Sequence, residues 1–181
     1  MLETNLWSDA LITIEPRNRQ CFLDHLLRLD EEGRQQRFCH PADDPHMRDY
    51  VDNLDFTNGR IIGCFDAGEM RGAAELRPSG AARSGVFEAT FSLEKDWQGR
   101  GIQQALIMRA IPVARGIGAR HILIDCLGSR ERLRHIVTQF DAELVFDHDD
   151  CKAWLPLGHA SCLIPPGRPP RAIQRSAFPS G

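Results

Sequence analysis

Between a strand-like run and a helix-like run lies Trp97-Gln98-Gly99-Arg100-Gly101-Ile102, and this junction restricts the fold more than any other segment. Upstream, Phe87, Ala89, Phe91 and Leu93 alternate with Glu88, Thr90 and Ser92, the period of a half-buried strand. Downstream, Ile102, Ala105, Leu106, Ala110 and Val113 recur at helical spacing. Gly99 and Gly101 let the backbone turn tightly and approach a ligand, because no Cβ stands in the way. The first helical turn then directs unpaired N–H groups and the positive end of its dipole outward. Strand, glycine turn and helix N-terminus together predict an anion site, most naturally for phosphate. Arg100 adds a positive charge and a bidentate donor fork.

Three phosphate-binding patterns compete for this junction. A P-loop needs Gly-x-x-x-x-Gly-Lys-Ser/Thr, and no Lys-Ser or Lys-Thr follows these glycines. A dinucleotide fingerprint reads Gly99-x-Gly101-x-x-Gln104, with Gln104 where a third glycine permits close helix–sheet packing. Asp125, which closes the next apolar strand, stands where a ribose-binding acid is expected. Against that pattern, Glu94-Lys95-Asp96 separates the strand from the glycines, whereas the fingerprint turns at once. The third pattern fits the whole segment. Gln98-Gly99-Arg100-Gly101-Ile102, with Trp97 and the charged turn before it, closely resembles the pantetheine-pyrophosphate loop of the GNAT superfamily of N-acyltransferases, Gln/Arg-x-x-Gly-x-Gly/Ala.

The resemblance extends over about residues 11–157. It implies that residues 87–93 are the fourth strand, 101–116 the third helix, 121–127 the fifth strand, 130–140 the fourth helix, and 142–147 with 152–157 a closing hairpin. Leu26-Leu27-Arg28-Leu29-Asp30 and Gln36-Arg37-Phe38 resemble a helix pair common in bacterial members, including branches fused to protein-acetylating systems. The implied cosubstrate is acetyl-CoA, with no metal. Phe91, Ser92 and Leu93 would run alongside the pantetheine, their backbone freed because the fourth and fifth strands splay, and the Leu93 N–H would polarise the acetyl carbonyl. Gln98, Gly99, Arg100, Gly101, Ile102, Gln103 and Gln104 would cradle the pyrophosphate.

Three positions depart from the family pattern. Gln103 replaces the last Gly/Ala of the loop, Arg130 stands where relatives often carry an Asn that contacts the cofactor, and Val137 stands where many carry the Tyr that protonates the thiolate. Tyr50, the only tyrosine, is distant in sequence and reads as packing. Two carboxylates are candidates for the base: Glu88 on the cleft-side strand and Asp125 at the end of the fifth strand. Each would act through an ordered water, since an unperturbed carboxylate pKa is about 4 against about 10 for an ammonium. The competing readings are a solvated strand face for Glu88 and a turn hydrogen bond for Asp125. His121 and His135 qualify by residue type alone. Cys126 has no positioned His in its sequence neighbourhood, which favours direct attack over a covalent intermediate.

The chain's 181 residues suffice for one domain with a substantial core. Its net charge of −3 argues against nucleic-acid binding through a broad basic surface. No apolar run approaches the ~20 residues that span a bilayer, and the polar, acidic opening is unlike a secretory signal. Six cysteines without a Cys-x-x-Cys pair or zinc-like spacing read as thiols in a reducing cytosol. The expected setting is therefore cytoplasmic and away from membranes, with a small-molecule amine or a protein amino group as partner and a homodimer left open. From Gly158 onward, Pro165-Pro166, Pro169-Pro170 and Pro179 mark a tail too poor in apolar pattern to order itself.

The remaining pattern predicts an α/β fold with a mixed, mostly antiparallel sheet, splayed parallel fourth and fifth strands and flanking helices. A short strand over residues 12–14 precedes helices over 18–29 and 31–37, with Pro41 and Pro45 breaking regularity and another helical turn over 49–56. Residues 60–66 and 69–77 form a hairpin through Asp66-Ala67-Gly68. His121-Ile122-Leu123-Ile124 reads as a strand covered on both faces, reached by a right-handed crossover. Pro112 predicts a kink near Met108, and Arg115-Gly116 the end of that helix. Function then divides between an acetyl-CoA-dependent N-acyltransferase and a catalytically degenerate acyl-CoA-binding module, the latter motivated by Gln103, Arg130 and Val137.

Overall fold

In the computed structural model, residues 7–80, 84–125, 131–140, 142–147 and 150–158 are described. The predicted hairpin forms β2 (Arg60–Asp66) and β3 (Glu69–Pro78). Its turn places Ala67 at φ 48° and Gly68 at φ 83°, two consecutive left-handed residues of the kind that follow the twist of antiparallel strands. β1 (Leu11–Thr13) and β4 (Val86–Leu93) flank the hairpin antiparallel. β5 (His121–Asp125) pairs parallel with β4, and β6 (Glu143–Asp147) and β7 (Asp150–Pro156) complete the sheet. The order across it is β1-β2-β3-β4-β5-β7-β6, so β7 inserts between β5 and β6.

Helices cover both faces. On one lie α1 (Arg19–Leu27), α2 (Glu31–Phe38) and α3 (Asp44–Asp52), around a core that includes Phe22, Leu26, Met47, Val51 and Ala73. On the other, α4 (Ile102–Gly116) and α5 (Glu131–Thr138) enclose Phe87, Ala89, Phe91, Leu106, Ala110 and Ile124. Since side chains alternate along a strand, Glu88, Thr90 and Ser92 of β4 face the α1–α3 side.

Two boundaries differ from the sequence expectation. Pro45 starts α3 instead of breaking it, because the first helical positions need no N–H and the Asp43 carboxylate accepts from the His46 N–H at 2.9 Å. The helical turn read at residues 49–56 is the second half of this helix, which ends at Asp52. α4 runs through Pro112 to Gly116 and is closed by Gly118 at φ 86°, with the Ala119 N–H bonded to the Ala114 carbonyl at 2.9 Å. Cys126, Arg130 and residues 159–181 of the proline-rich tail lie outside the described residues.

Candidate active site

The glycine junction adopts the geometry its sequence demands. Gly99 sits at φ 79° and Gly101, the N-cap of α4, at φ 78°. A Cβ added at Gly101 would meet nothing within 4 Å, so the requirement for glycine there is one of backbone conformation rather than space. No side chain caps α4, in contrast to α2 and α3, whose first turns are capped by Asp30 and Asp43. The first turn of α4 thus offers its N–H groups and dipole to an anion. The loop is fixed from behind by an aromatic pair. Trp7 Nε1 donates to the Arg100 carbonyl at 2.8 Å, and the Trp7 and Trp97 rings meet edge-to-face with centroids 6.0 Å apart. The Arg100 guanidinium lies 4.6 Å above the Trp97 ring.

Beside this turn the sheet parts. β4 and β5 pair from Val86↔His121 to Ala89↔Ile124, and the ladder stops there although β4 continues to Leu93. Among the described residues, no strand lies against residues 90–93 on that side. The gap is a cleft of about 480 Å³, with Phe91, Ser92 and Leu93 along one wall. Gln98, Gly99, Gly101, Ile102, Gln103 and Gln104 form its mouth. Of the described residues expected there, Arg100 is the exception, its side chain being stacked on Trp97. Gly33 and Gln36 of α2 and Ile136 of α5 also line the cleft, and sequence periodicity gave no signal for any of them. A larger hollow of about 1020 Å³ lies elsewhere, lined by Pro78, Val86, Gly118 and Arg120 and lacking the glycine turn.

The two candidate bases share the α1–α3 face but do not line the cleft. Glu88, one residue before the split, is partly exposed and lies 3.7 Å from an Arg77 guanidinium nitrogen. Asp125 ends β5 opposite Lys152 of β7. Val137 is buried in the α4-side core, so α5 presents Ile136 to the cleft and supplies no phenol there. Tyr50 packs edge-on against Phe38 at 5.3 Å, while its hydroxyl donates to Glu75 Oε2 at 2.6 Å. Burial raises its pKa. His121 stacks against Trp154 at 4.8 Å, and burial, with Arg120 nearby, lowers its pKa. His135 is exposed on α5.

A buried polar chain reaches the cleft from α1. His25, fully buried on the apolar face of α1, has Nε2 2.9 Å from Ser92 Oγ and Nδ1 3.2 Å from Glu94 Oε1. Glu94 is held further by Arg28 Nε at 2.8 Å and Arg71 at 3.2 Å. Burial pushes the Glu94 carboxyl up, but the hydrogen bonds from His25 and Arg28 outweigh it and keep its pKa below the usual range. Burial lowers the His25 pKa, with Glu94 partly offsetting it. Glu94 was legible only as part of an acidic turn, and His25 only as a helix residue. Among the described residues, no group of three or more His, Cys, Asp or Glu could hold a metal ion, and no helix is long and apolar enough to cross a membrane.

No curated protein sequence matches the chain. The fold is similar to many solved structures. The GNAT domain of PAT from S. lividans superposes with a TM-score of 0.70 at 17% identity, covering 81% of this chain and 89% of that one. A GCN5-related N-acetyltransferase from Kribbella flavida gives 0.65 at 18% identity, covering 82% and 98%. The structure of yncA from Salmonella typhimurium with its cofactor acetyl-CoA gives 0.63 at 10% identity, covering 84% and 95%. The model of the acetyltransferase (GNAT) family matches residues 22–140, which include most of α1, the glycine turn and α5. The chain belongs to the GNAT family of acetyltransferases.

Proposed function

We propose that the protein is an acyl-CoA-dependent N-acyltransferase that moves an acetyl group from acetyl-CoA to a primary amine by direct attack. The observation that carries this reading is the cleft where β4 leaves β5, walled by strand backbone and opening at the uncapped N-terminus of α4. An elongated ligand with amides along its length and a diphosphate at one end matches that surface group for group. The backbone of Phe91, Ser92 and Leu93 would pair with the amides, and the turn from Gln98 to Gln104 would hold the diphosphate. Gln103 brings an amide to the same mouth and can donate to a phosphate oxygen. The Leu93 N–H would polarise the thioester carbonyl, and a fixed donor of this kind stabilises charge as it develops on oxygen. Glu88 and Asp125 share the α1–α3 face of the sheet but stand outside the cleft lining.

The test is binding followed by turnover. Wild type is expected to bind CoA and to release CoA thiol from acetyl-CoA in the presence of a responsive amine, drawn from a panel of small primary amines and peptides with free amino groups. Gly101→Asn tolerates positive φ but projects a side chain toward the diphosphate position. It should fold and lose CoA affinity. Unchanged affinity in the folded variant would remove the assignment of the cleft. CoA binding without thiol release across the whole panel would favour a binding module instead.

A further inference from the structure

The two carboxylates legible in the sequence stand outside the cleft lining, while Ser92, whose hydroxyl is backed by an imidazole and a carboxylate, belongs to it. We propose that Ser92, His25 and Glu94 form a buried proton relay that takes the proton of the attacking amine and delivers it to the departing sulfur. The inference rests on the N-acyltransferase reading above.

Donor and acceptor roles follow from elementary valence. Glu94, bound by Arg28 and Arg71, is a carboxylate and can only accept, so His25 Nδ1 carries the proton that bridges to it. That leaves Nε2 of the neutral ring as an acceptor, and the Ser92 hydroxyl must donate to it. The Ser92 oxygen then has lone pairs for a donor arriving in the cleft, and an amine is such a donor. A purely structural tether does not require this arrangement. The apolar face of α1 is otherwise built from Phe22, Leu23 and Leu26, and a polar ring among them is costly unless both nitrogens are satisfied. One of the two partners that satisfy it belongs to the cleft.

In the reaction, the amine lone pair forms the new N–C bond. Collapse of the tetrahedral adduct breaks the C–S bond, with its electron pair leaving on sulfur. The nitrogen proton passes to Ser92 Oγ as the hydroxyl proton passes to His25 Nε2, and the imidazolium is stabilised by Glu94 at Nδ1. The same atoms return the proton to sulfur. A neutral amine and a thioester thus give an amide and a thiol with no proton drawn from solvent, and an amine arriving as ammonium first gives its extra proton to water. Ser92 is the catalytic residue of the relay, while His25 and Glu94 act through it. The charged groups that face His25 are Glu94, Arg28 from its own helix and Arg37 from α2, with Arg71 reaching Glu94 from β3. Burial and the two arginines keep the ring neutral, able to accept a proton and quick to return it.

Ser92→Ala removes the hydroxyl, and His25→Gln supplies an amide that still hydrogen-bonds Ser92 but cannot carry the proton. In each, kcat/KM for the amine at neutral pH should fall about 10²-fold, in the range of a lost acid–base group, with CoA affinity kept. The deficit should persist above the pKa of the amine, where the amine arrives neutral and its remaining proton still has to pass through the relay, and the double variant should be no worse than either single one. Turnover near wild type in a folded variant, or a deficit that vanishes once the amine is neutral, would overturn the relay. So would an acetyl ester on Ser92 recovered by mass spectrometry from wild type incubated with acetyl-CoA alone, since Ser92 would then be a nucleophile. Nitrogen NMR of the His25 ring gives a readout independent of turnover: the proton should reside on Nδ1 at neutral pH, and finding it on Nε2 overturns the relay. Absence of thiol release from wild type with every amine overturns the acyltransfer reading and the relay with it. Thiol release undiminished in Ser92→Ala overturns the relay alone.

Discussion

At the scale of single residues, the question is which group removes the amine proton. Of Ser92, Glu88 and Asp125, Ser92 alone is a residue of the cleft lining. Glu88→Gln should therefore reduce turnover by far less than the 10²–10⁴-fold expected of a direct base. A loss in that full range with CoA affinity preserved would return the role to Glu88, and the same result for Asp125→Asn would return it to β5. The legibility of these residues divides along physical lines. Phe91, Ser92, Leu93 and the glycine turn lie close together in sequence, so motif and period find them. His25 and Glu94 meet across 69 residues of sequence, and a helical period reveals only that position 25 shares the face of Phe22 and Leu26. Arg37 and Glu75 were hidden in the same way. They form a buried pair with the Tyr50 hydroxyl, so a tyrosine read as packing turns out also to anchor a charge.

At the scale of elements, the strands were well marked, β2 and β3 by the turn chemistry of Asp66-Ala67-Gly68 between them and β4 by its alternation. Helix boundaries were less so, because a proline near a helix has opposite meanings at its start and in its interior. Pro45 became a helix start because Asp43 is there to cap it. Asp43→Ala should consequently cost about 1 kcal/mol and lower Tm by about 2–4 °C, measured by thermal unfolding, without altering CoA affinity. The split between β4 and β5 was expected from the family likeness and not from the residues, since β5 carries the unbroken apolar pattern of a fully paired strand. The apolar run predicts burial on both faces, whereas Ile122 and Ile124 are buried and Leu123 only half-buried, and it is silent about where hydrogen bonding stops.

At the scale of the whole molecule, the polar chain that threads the α1 side of the sheet links protonation to stability. The imidazole of His25 has a lower pKa folded than unfolded, where it is about 6.5. Below that pH the unfolded chain binds more protons than the native one, so stability falls as pH drops from about 6.5 toward the folded value. Glu94, also lowered in the folded state, adds a loss of the same sign at more acid pH. Melting temperature recorded from pH 7.5 to 5 should decline in wild type and decline less steeply in His25→Gln. An identical slope in the two proteins would show that other groups set the acid response.

The sheet also has a mechanical character that follows from its pairing. β1 to β4 form one antiparallel block and β5, β7 and β6 another, and the rungs from Val86↔His121 to Ala89↔Ile124 are the only strand pairing between them among the described residues. Such a sheet behaves as two plates stitched along half a seam, with α4 packed on the β1–β4 plate. A ligand lodged in the unstitched half would act as further stitching, so that filling the notch stiffens one plate against the other and emptying it restores their play.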